Sequence, residues 1–439
     1  MDIQQITSRL GLTPSPMQQA ASKAILSGSG NVEVLSPTGS GKTLAYLLPL
    51  AQLLDATSDA LQAVVIVPGR ELAIQTAEVL ASLKAGLRGY ACHGGRPTMD
   101  EHRELRKVKP QIITATPGRL NDHIDKGNIE TGDVRFVVID EFDNCLQMGF
   151  ADEMNKAVSS LPRSARRIFL SATDVSTDEL VNTALSPAGF VVVDFRQDAQ
   201  QEDRVKVNIV HSPDKDKLAV LAALLRCFKG ESTVVFLNYR DSVERTAAFL
   251  SDEGFTVSAY HGGLDQRQRE EAIYRFANGS ANVLVSTNLG SRGLDIPDVK
   301  NIVHYHLPET EEDYTHRIGR TARWDKDGNT YFILSEGETL PDYVQADTLD
   351  FTMPDELPAP VAPRMVTLYI GKGKKDKISK GDVVGFLCKS GKLKGQEIGR
   401  IDVYDYYAYA AIERGKLKSV LRNVQGEKLK GQMPSKMVY

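Results

Sequence analysis

Cysteine is scarce in this chain of 439 residues. The four present, Cys92, Cys145, Cys227 and Cys388, lie far apart and form no C-x-x-C pair. Neither a zinc site nor a disulfide framework is indicated, and a reducing, cytoplasmic setting fits. Long apolar runs are also missing. Nothing approaches the roughly 18 consecutive apolar residues that a membrane helix needs. The first residues, Met1 to Leu12, carry two opposite charges and lack the basic start and apolar stretch of a secretion signal. Short-period repeats and low-complexity tracts are absent too.

Hydrophobic residues make up 41% and charged residues 25% of the chain, as in an ordinary folded protein. At roughly 150 residues per domain, two or three domains are expected. The net charge of −4 hides an asymmetry. From Met365 to Tyr439 there are 16 Lys and Arg against 7 Asp and Glu, whereas the remainder holds 37 against 50. A basic tail on an acidic body points to a polyanionic partner; the alternative is a merely soluble basic surface.

Short β-branched runs recur along residues 1–195 and 204–334, most of them followed by a helical pattern. Continuous apolar strands alternating with helices predict parallel sheets covered on both faces, and so two α/β domains. The polar stretch Phe195–Asp203 reads as a connection between them, and Ser335–Arg364, acidic and then proline-rich, as a flexible linker. Beyond it the order β-α-β-β-α-β over residues 365–439 is that of an RRM.

Val34-Leu35 leads into Ser36-Pro-Thr-Gly-Ser-Gly-Lys-Thr43 and a helical run. That is the setting of a phosphate-binding loop: backbone N–H groups around Thr38, Gly39, Ser40 and Gly41, plus the helix N-terminus, cradle phosphates. Lys42 suits the β- and γ-phosphates of ATP, and Thr43 suits Mg²⁺. Ser36 stands where the strict pattern has glycine. Asp140-Glu141 closes the apolar run Val137-Val138-Ile139, where Asp140 can position Mg²⁺ and Glu141 the attacking water; a surface turn of acids is the alternative. Arg320 and Arg323, in His316-Arg-Ile-Gly-Arg-Thr-Ala-Arg323, can supply a charge to the transferred phosphoryl group, or can be a solvated basic face.

Taken in order, the segments from Leu12 to Leu334 resemble the DEAD-box RNA helicases. They are Gln18 in PSPMQ, SPTGSGKT, Pro68-Gly-Arg-Glu-Leu72, His93-Gly-Gly95, Thr116-Pro-Gly-Arg119, Asp140-Glu-Phe-Asp143, Ser171-Ala-Thr173, Phe236, His261-Gly with Gln266 and Arg269, TNLGSRGLD, and HRIGRTAR. The resemblance implies two RecA-like domains that close around ATP and single-stranded RNA. Gln18 is then the adenine reader and Asp295 a ribose contact. Arg320 and Arg323 reach the γ-phosphate, and His316 bridges the domains. Ser171 and Thr173 couple hydrolysis to strand separation. Arg70, Gly95, Thr116, Arg119, Thr287, Gly290 and Arg292 line the RNA path, contacting phosphate and sugar rather than base edges. Phe142, Gly69 and Ala322 depart from the family's usual alanine, threonine and glycine.

Residues 365–439 resemble the RNA-binding domain of DbpA-type helicases, through TLYIGKGKKDKI, GDVVGFL, IGRIDVYDYYAYAAIERG and KLKGQ. That resemblance implies recognition of a hairpin in 23S ribosomal RNA and a role in large-subunit assembly. Tyr407 and Tyr409 alternate on a strand and point one way, as base-stacking aromatics do; packing in the core or under the linker is the alternative. Lys374 and Lys375 are placed to touch phosphate. Two other functions compete with an RNA-stimulated ATPase: a DNA translocase, and an RNA clamp with a degenerate ATP site. The RNA-type motifs oppose the first, and intact Lys42, Thr43, Asp140, Glu141 and Arg323 oppose the second.

Overall fold

A computed structural model describes residues 2–28, 30–95, 97–173, 183–186, 189–196, 205–288, 299–319, 328–344, 347–431 and 437–438. The chain divides into two compact units, the first built on Met1–Glu202 and the second starting at Asp203.

The first unit has strands β1 (Val32–Leu35), β2 (Ala63–Ile66), β3 (Gly89–Cys92), β4 (Ile112–Ala115), β5 (Phe136–Ile139), β6 (Arg166–Ser171) and β7 (Val191–Asp194). Its helices are α1 (Ile3–Leu10), α2 (Pro16–Ser27), α3 (Lys42–Leu53), α4 (Arg70–Ser82), α5 (Thr98–Val108), α6 (Pro117–Asp125), α7 (Phe142–Gln147) and α8 (Ala151–Ser159). The strands pair in parallel in the order β3-β4-β2-β5-β6-β1-β7. Each central strand is apolar on both faces because both are covered. Val65, Val138, Ile168 and Leu170 join one core, while Val64, Val137, Ile139 and Phe169 join the other.

The second unit repeats the plan. Strands β8 (Val205–Ser212), β9 (Thr233–Phe236), β10 (Val257–Tyr260), β11 (Val283–Ser286), β12 (Asn301–His304), β13 (Gly328–Ser335) and β14 (Thr348–Asp350) pair in the order β10-β11-β9-β12-β13-β8-β14. Helices α9 (Leu218–Cys227), α10 (Arg240–Asp252), α11 (Gln266–Ala277) and α12 (Glu311–Ile318) accompany them. The tail follows as β15 (Met365–Ile370), α13 (Lys380–Lys389), β16 (Ile398–Val403), β17 (Ala408–Glu413), α14 (Leu417–Val424) and β18 (Met437–Val438). Its sheet is antiparallel, in the order β16-β17-β15-β18, with its own core under α13 and α14.

Two elements differ from the expectation. β3, Gly-Tyr-Ala-Cys, holds no β-branched residue and so falls outside the β-branched runs from which strands are expected. The segment Ser335–Arg364 is not a free linker throughout. Within it β14 pairs with β8, and Phe351 and Met353 pack on the second unit's core. Further along, the Asn282 side chain donates to Val361 O at 2.7 Å. An exposed edge strand with one leucine between two polar residues carries no alternation to read.

Candidate functional site

All strands of the first sheet run in parallel, so the residues just beyond their C-terminal ends share one edge. The strand order sorts those residues into two groups. β5, β6 and β1 adjoin, and carry Asp140-Glu141, Ser171-Ala-Thr173 and the phosphate loop. β3, β4 and β2 adjoin, and carry His93-Gly-Gly95, Thr116 and Arg70.

In the loop, Gly39 and Gly41 take φ of 84° and 86°, in the left-handed region that glycine occupies without cost. A Cβ on Gly41 would also collide with the Gln18 amide. Gln18 is held at the start of α2 by a reciprocal capping box with Ser15, and its Nε2 donates to Gly41 O at 3.1 Å. Ser36 is accommodated because its hydroxyl donates to Ser40 Oγ. The buried Lys42 ammonium donates to Ser36 O at 2.7 Å and Pro37 O at 3.3 Å, which keeps it folded over the loop. Thr38 and Ser40 lie in the loop itself, and Thr43 opens α3 beside Lys42.

Asp140 is buried, and Tyr46 donates to its Oδ2 at 3.1 Å. Burial, with Glu141 alongside, pushes the Asp140 carboxyl up to about 6. Glu141, the N-cap of α7, has φ 53°, an uncommon left-handed conformation for glutamate. Asn144 Nδ2 donates to Glu141 Oε2 at 3.0 Å. Phe142 is fully buried, its ring 4.7 Å from that of Phe169, so the departure from alanine is absorbed into the core.

Asp143 was not among the expected site residues. Its Oδ2 accepts from Ala172 N at 2.9 Å, Thr173 N at 3.0 Å and Thr173 Oγ1 at 3.1 Å. The acid box is therefore wired directly to Ser171-Ala-Thr173, while Ser171 Oγ donates to Thr173 O at 2.7 Å. Its signal in the sequence is the fourth position of the box, an acid following a buried ring.

In the second group, Arg70 begins α4 and its guanidinium lies against the Gly94 carbonyl, at 3.4 Å. A Cβ on Gly95, whose φ is 92°, would strike that guanidinium. Gly69 is the N-cap of α4 and offers no side-chain cap, where threonine would bring a hydroxyl. Thr116 is the N-cap of α6, and Arg119 lies in its first turn, paired with Glu101 at 2.8 Å.

In the second unit, Thr287 follows β11, its N–H donating to Tyr260 O at 3.2 Å. His316 is buried on α12. Its neighbour Arg317, which sequence reasoning passed over, is fully buried. Arg317 donates to Asn238 Oδ1, Asn288 Oδ1 and His306 O, each at 2.8 Å, and burial lowers its ionisation to about 10. Gly290, Arg292, Asp295, Arg320, Ala322 and Arg323 lie outside the described residues.

In the tail, Tyr407 and Tyr409 share a face with Tyr369, and helix α11 packs against it, burying Tyr409 and leaving Tyr369 and Tyr407 partly exposed. Tyr409 is buried and stacks on Tyr274 of α11 with ring centres 5.1 Å apart. The Tyr407 hydroxyl donates to Glu270, and Arg267 lies 4.7 Å over the Tyr369 ring. Asn278 Nδ2 adds a bond to Thr367 Oγ1 at 3.0 Å. The rings pair with a helix because it presents both apolar area and matching charge. Lys374 and Lys375 lie in the loop before α13. Their N–H groups bond Tyr404 O and Asp405 O, and Lys375 lies against the exposed ring of Tyr406.

A phosphate loop, an acid pair and a coupled Ser-Ala-Thr turn on one edge of a parallel sheet, with a second such sheet in the same chain, define a RecA-type nucleotide-driven motor. Comparison agrees. Residues 15–180 match the DEAD/DEAH box helicase family, residues 216–325 the helicase conserved C-terminal domain, and residues 367–435 the DbpA RNA binding domain. The ATP-dependent RNA helicase DbpA of Escherichia coli (strain K12) is 34% identical over 430 residues, which span 96% of this chain and 93% of that protein. The Bacillus subtilis (strain 168) DbpA is 28% identical over 473 residues, 98% of this chain and 96% of that protein. The structure of S. cerevisiae Dbp5 bound to RNA and ADP BeF3 has the same fold, with TM-score 0.71 at 24% identity over 80% of this chain and 93% of that one. The chain belongs to the DEAD-box RNA helicases, and within them to the DbpA type.

Proposed function

We propose that this ATP-dependent RNA helicase hydrolyses ATP with Mg²⁺ on binding RNA, melts short duplexes, and is directed by its tail to 23S ribosomal RNA during large-subunit assembly in the cytoplasm. The observation that carries the reading is the sorting of the first sheet's edge. A phosphate-binding half and a half rich in arginine, hydroxyl and exposed glycine amide adjoin, with Asp143 tying the acid box to the Ser171–Thr173 turn.

Asp140 and Thr43 are the residues that fit Mg²⁺: a buried carboxyl held up to about 6 beside a second acid is relieved by a divalent cation. Bound there, Mg²⁺ supplies charge neutralisation to the β- and γ-phosphates. Lys42 turns from its loop carbonyls to the phosphates, Gln18 reads the base and steadies the loop through Gly41, and Glu141 orients the attacking water. Arg70, Gly95, Thr116, Arg119 and, in the second unit, Thr287 take RNA phosphate and sugar without reading sequence.

Sequence choice then falls to the tail. With α11 packed on its ring face, the tail offers RNA Lys374 and Lys375 together with the exposed Tyr406 beside them, two cations next to one stacking surface. Support for the ribosomal target is the match of residues 367–435 to the DbpA RNA binding domain. The test is ATPase activity against 23S ribosomal RNA fragments and scrambled RNA of equal length. Half-stimulation at an RNA concentration about tenfold lower for one fragment supports the reading. Equal stimulation by all of them removes the ribosomal assignment and leaves a general RNA helicase.

A further inference from the structure

Glu101, on α5 of the first unit, has no part in the chemistry described so far, yet it is completely buried. Its Oε1 accepts from the His93 N–H at 3.1 Å. Its Oε2 accepts from Arg119 Nη1 at 2.8 Å and from His123 Nε2 at 3.0 Å. Asn128 Nδ2 lies 3.1 Å from His123 Nδ1, which fixes the imidazole with its proton on Nε2, facing Glu101. Burial alone would raise the Glu101 carboxyl. His123, the His93 amide and Arg119 outweigh it, and the group is held below its ordinary value.

The cluster also has the composition of a cation site, since the Cys92, Glu101 and His123 donor atoms lie within 4.8 Å of one another. The Arg119 guanidinium already satisfies Oε2 with a positive charge, and His123 offers that oxygen a proton rather than a lone pair. The geometry therefore favours a hydrogen-bonded brace over a metal.

What the brace connects is informative. His93 opens the turn that ends in Gly95, and the Gly94 carbonyl of that turn accepts from the Arg70 guanidinium of α4. Arg119 lies at the beginning of α6 and also donates to Thr98 Oγ1 at 3.3 Å. One carboxylate thus spans two separate phosphate-contacting loops, after β3 and after β4. A flexible arginine loses side-chain freedom when it grips a phosphate, and a prior ion pair removes part of that cost.

We propose that Glu101 is a positioning residue for RNA: it pre-sets the Arg119 guanidinium and the His93–Gly95 turn in one fixed relation, so that both loops meet the RNA backbone together. The proposal rests on the reading of Arg119 as an RNA contact. The test uses the full chain and measures, for RNA-stimulated ATPase, the RNA concentration giving half stimulation, turnover at saturating RNA, KM for ATP, and Tm. Glu101→Gln keeps the shape but turns an amide donor towards Arg119 and His123. It is expected to raise the half-stimulating RNA concentration about tenfold, with turnover and KM for ATP within about twofold. Glu101→Asp keeps the charge but withdraws it by one methylene, and is read the same way should the Gln variant melt below the assay temperature. Arg119→Ala alone is expected to weaken RNA comparably, and the Glu101→Gln, Arg119→Ala double variant to fall well short of the product of the two effects. If Arg119→Ala leaves RNA dependence unchanged, the RNA-contact reading itself fails. If Arg119→Ala weakens RNA while folded Glu101 variants do not, or the two effects multiply in full, the positioning role is overturned and Glu101 is only a buried ion-pair partner.

Discussion

The amide nitrogen of Asn144 donates to Oε2 of Glu141 at 3.0 Å, with both side chains buried. A carboxylate that must orient a water is useful only in a defined rotamer, and this bond holds one of its two oxygens. Asn144→Ala should therefore lower turnover about tenfold while leaving KM for ATP and RNA dependence within about twofold. Steady-state kinetics on the purified variant decide it; unchanged turnover would show that Glu141 needs no such support.

Glu141→Gln keeps the size and the bond from Asn144 but loses the charge that polarises water. Turnover should fall by about a hundredfold or more, with ATP and RNA binding near those of the parent. Binding is checked by fluorescence titration and hydrolysis by phosphate release. Turnover within about threefold of the parent would remove Glu141 from the role.

Asp140 titrates high because it is buried next to another acid. Its folded-state value, about 6, lies above its ordinary one, so the stability it contributes is present below the ordinary carboxylate range and is lost as pH rises through about 6. At neutral pH the charged Asp140 therefore destabilises the fold when no divalent cation is bound. Asp140→Asn should accordingly raise the Tm of the nucleotide- and Mg²⁺-free protein at pH 7.5, with a difference that shrinks towards pH 4.5. The same variant should lose ATPase activity at every pH. Equal melting of both proteins across that range would contradict the burial argument.

How much of this was readable beforehand follows a physical line. The phosphate loop, the acid pair and the loops proposed to meet RNA are contiguous segments whose spacing carries their chemistry. The strands that hold them are β-branched runs buried on both faces, so their placement was visible too. Asp143 and Arg317 were overlooked because their partners, Ala172-Thr173 and Asn238 with Asn288, are brought up only by the fold. Tyr407 and Tyr409 were correctly assigned to one face. The helix that covers them lies more than a hundred residues earlier, and no local pattern announces that pairing.

That covering changes what the tyrosines should do. Tyr409→Ala leaves a cavity between β17 and α11, with a cost of about 3–5 kcal/mol expected for a buried ring. Tyr407→Phe loses only its hydroxyl bond to Glu270. Thermal melts should show a marked loss for the first and a small one for the second, while the Tyr407→Phe chain binds RNA within about twofold of the parent. A large loss of RNA affinity in folded Tyr407→Phe would return that ring to the RNA surface.

Deleting Met365–Tyr439 should abolish preference for ribosomal over scrambled RNA, raising the ribosomal RNA needed for half stimulation about tenfold or more, a loss of at least about 1.4 kcal/mol. Because the cut also uncovers Tyr274 and the charged face of α11, turnover is compared below the melting temperature of the shortened chain, where on saturating generic RNA it should stay close to that of the full chain. Retained preference in the shortened protein would place recognition in the helicase domains.

The stacked pair Tyr274 and Tyr409 bears on how such proteins can be recombined. A tail joined through a slack tether could be exchanged between helicases by cutting anywhere in the connection. Here a cut before Met365 strands ring surface on both pieces: Tyr274 loses its cover, and Tyr369, Tyr407 and Tyr409 lose Arg267, Glu270 and Glu271. A functional graft of this recognition domain onto another helicase must carry a matching α11 with it, so the heritable module is larger than the RNA-binding fold alone.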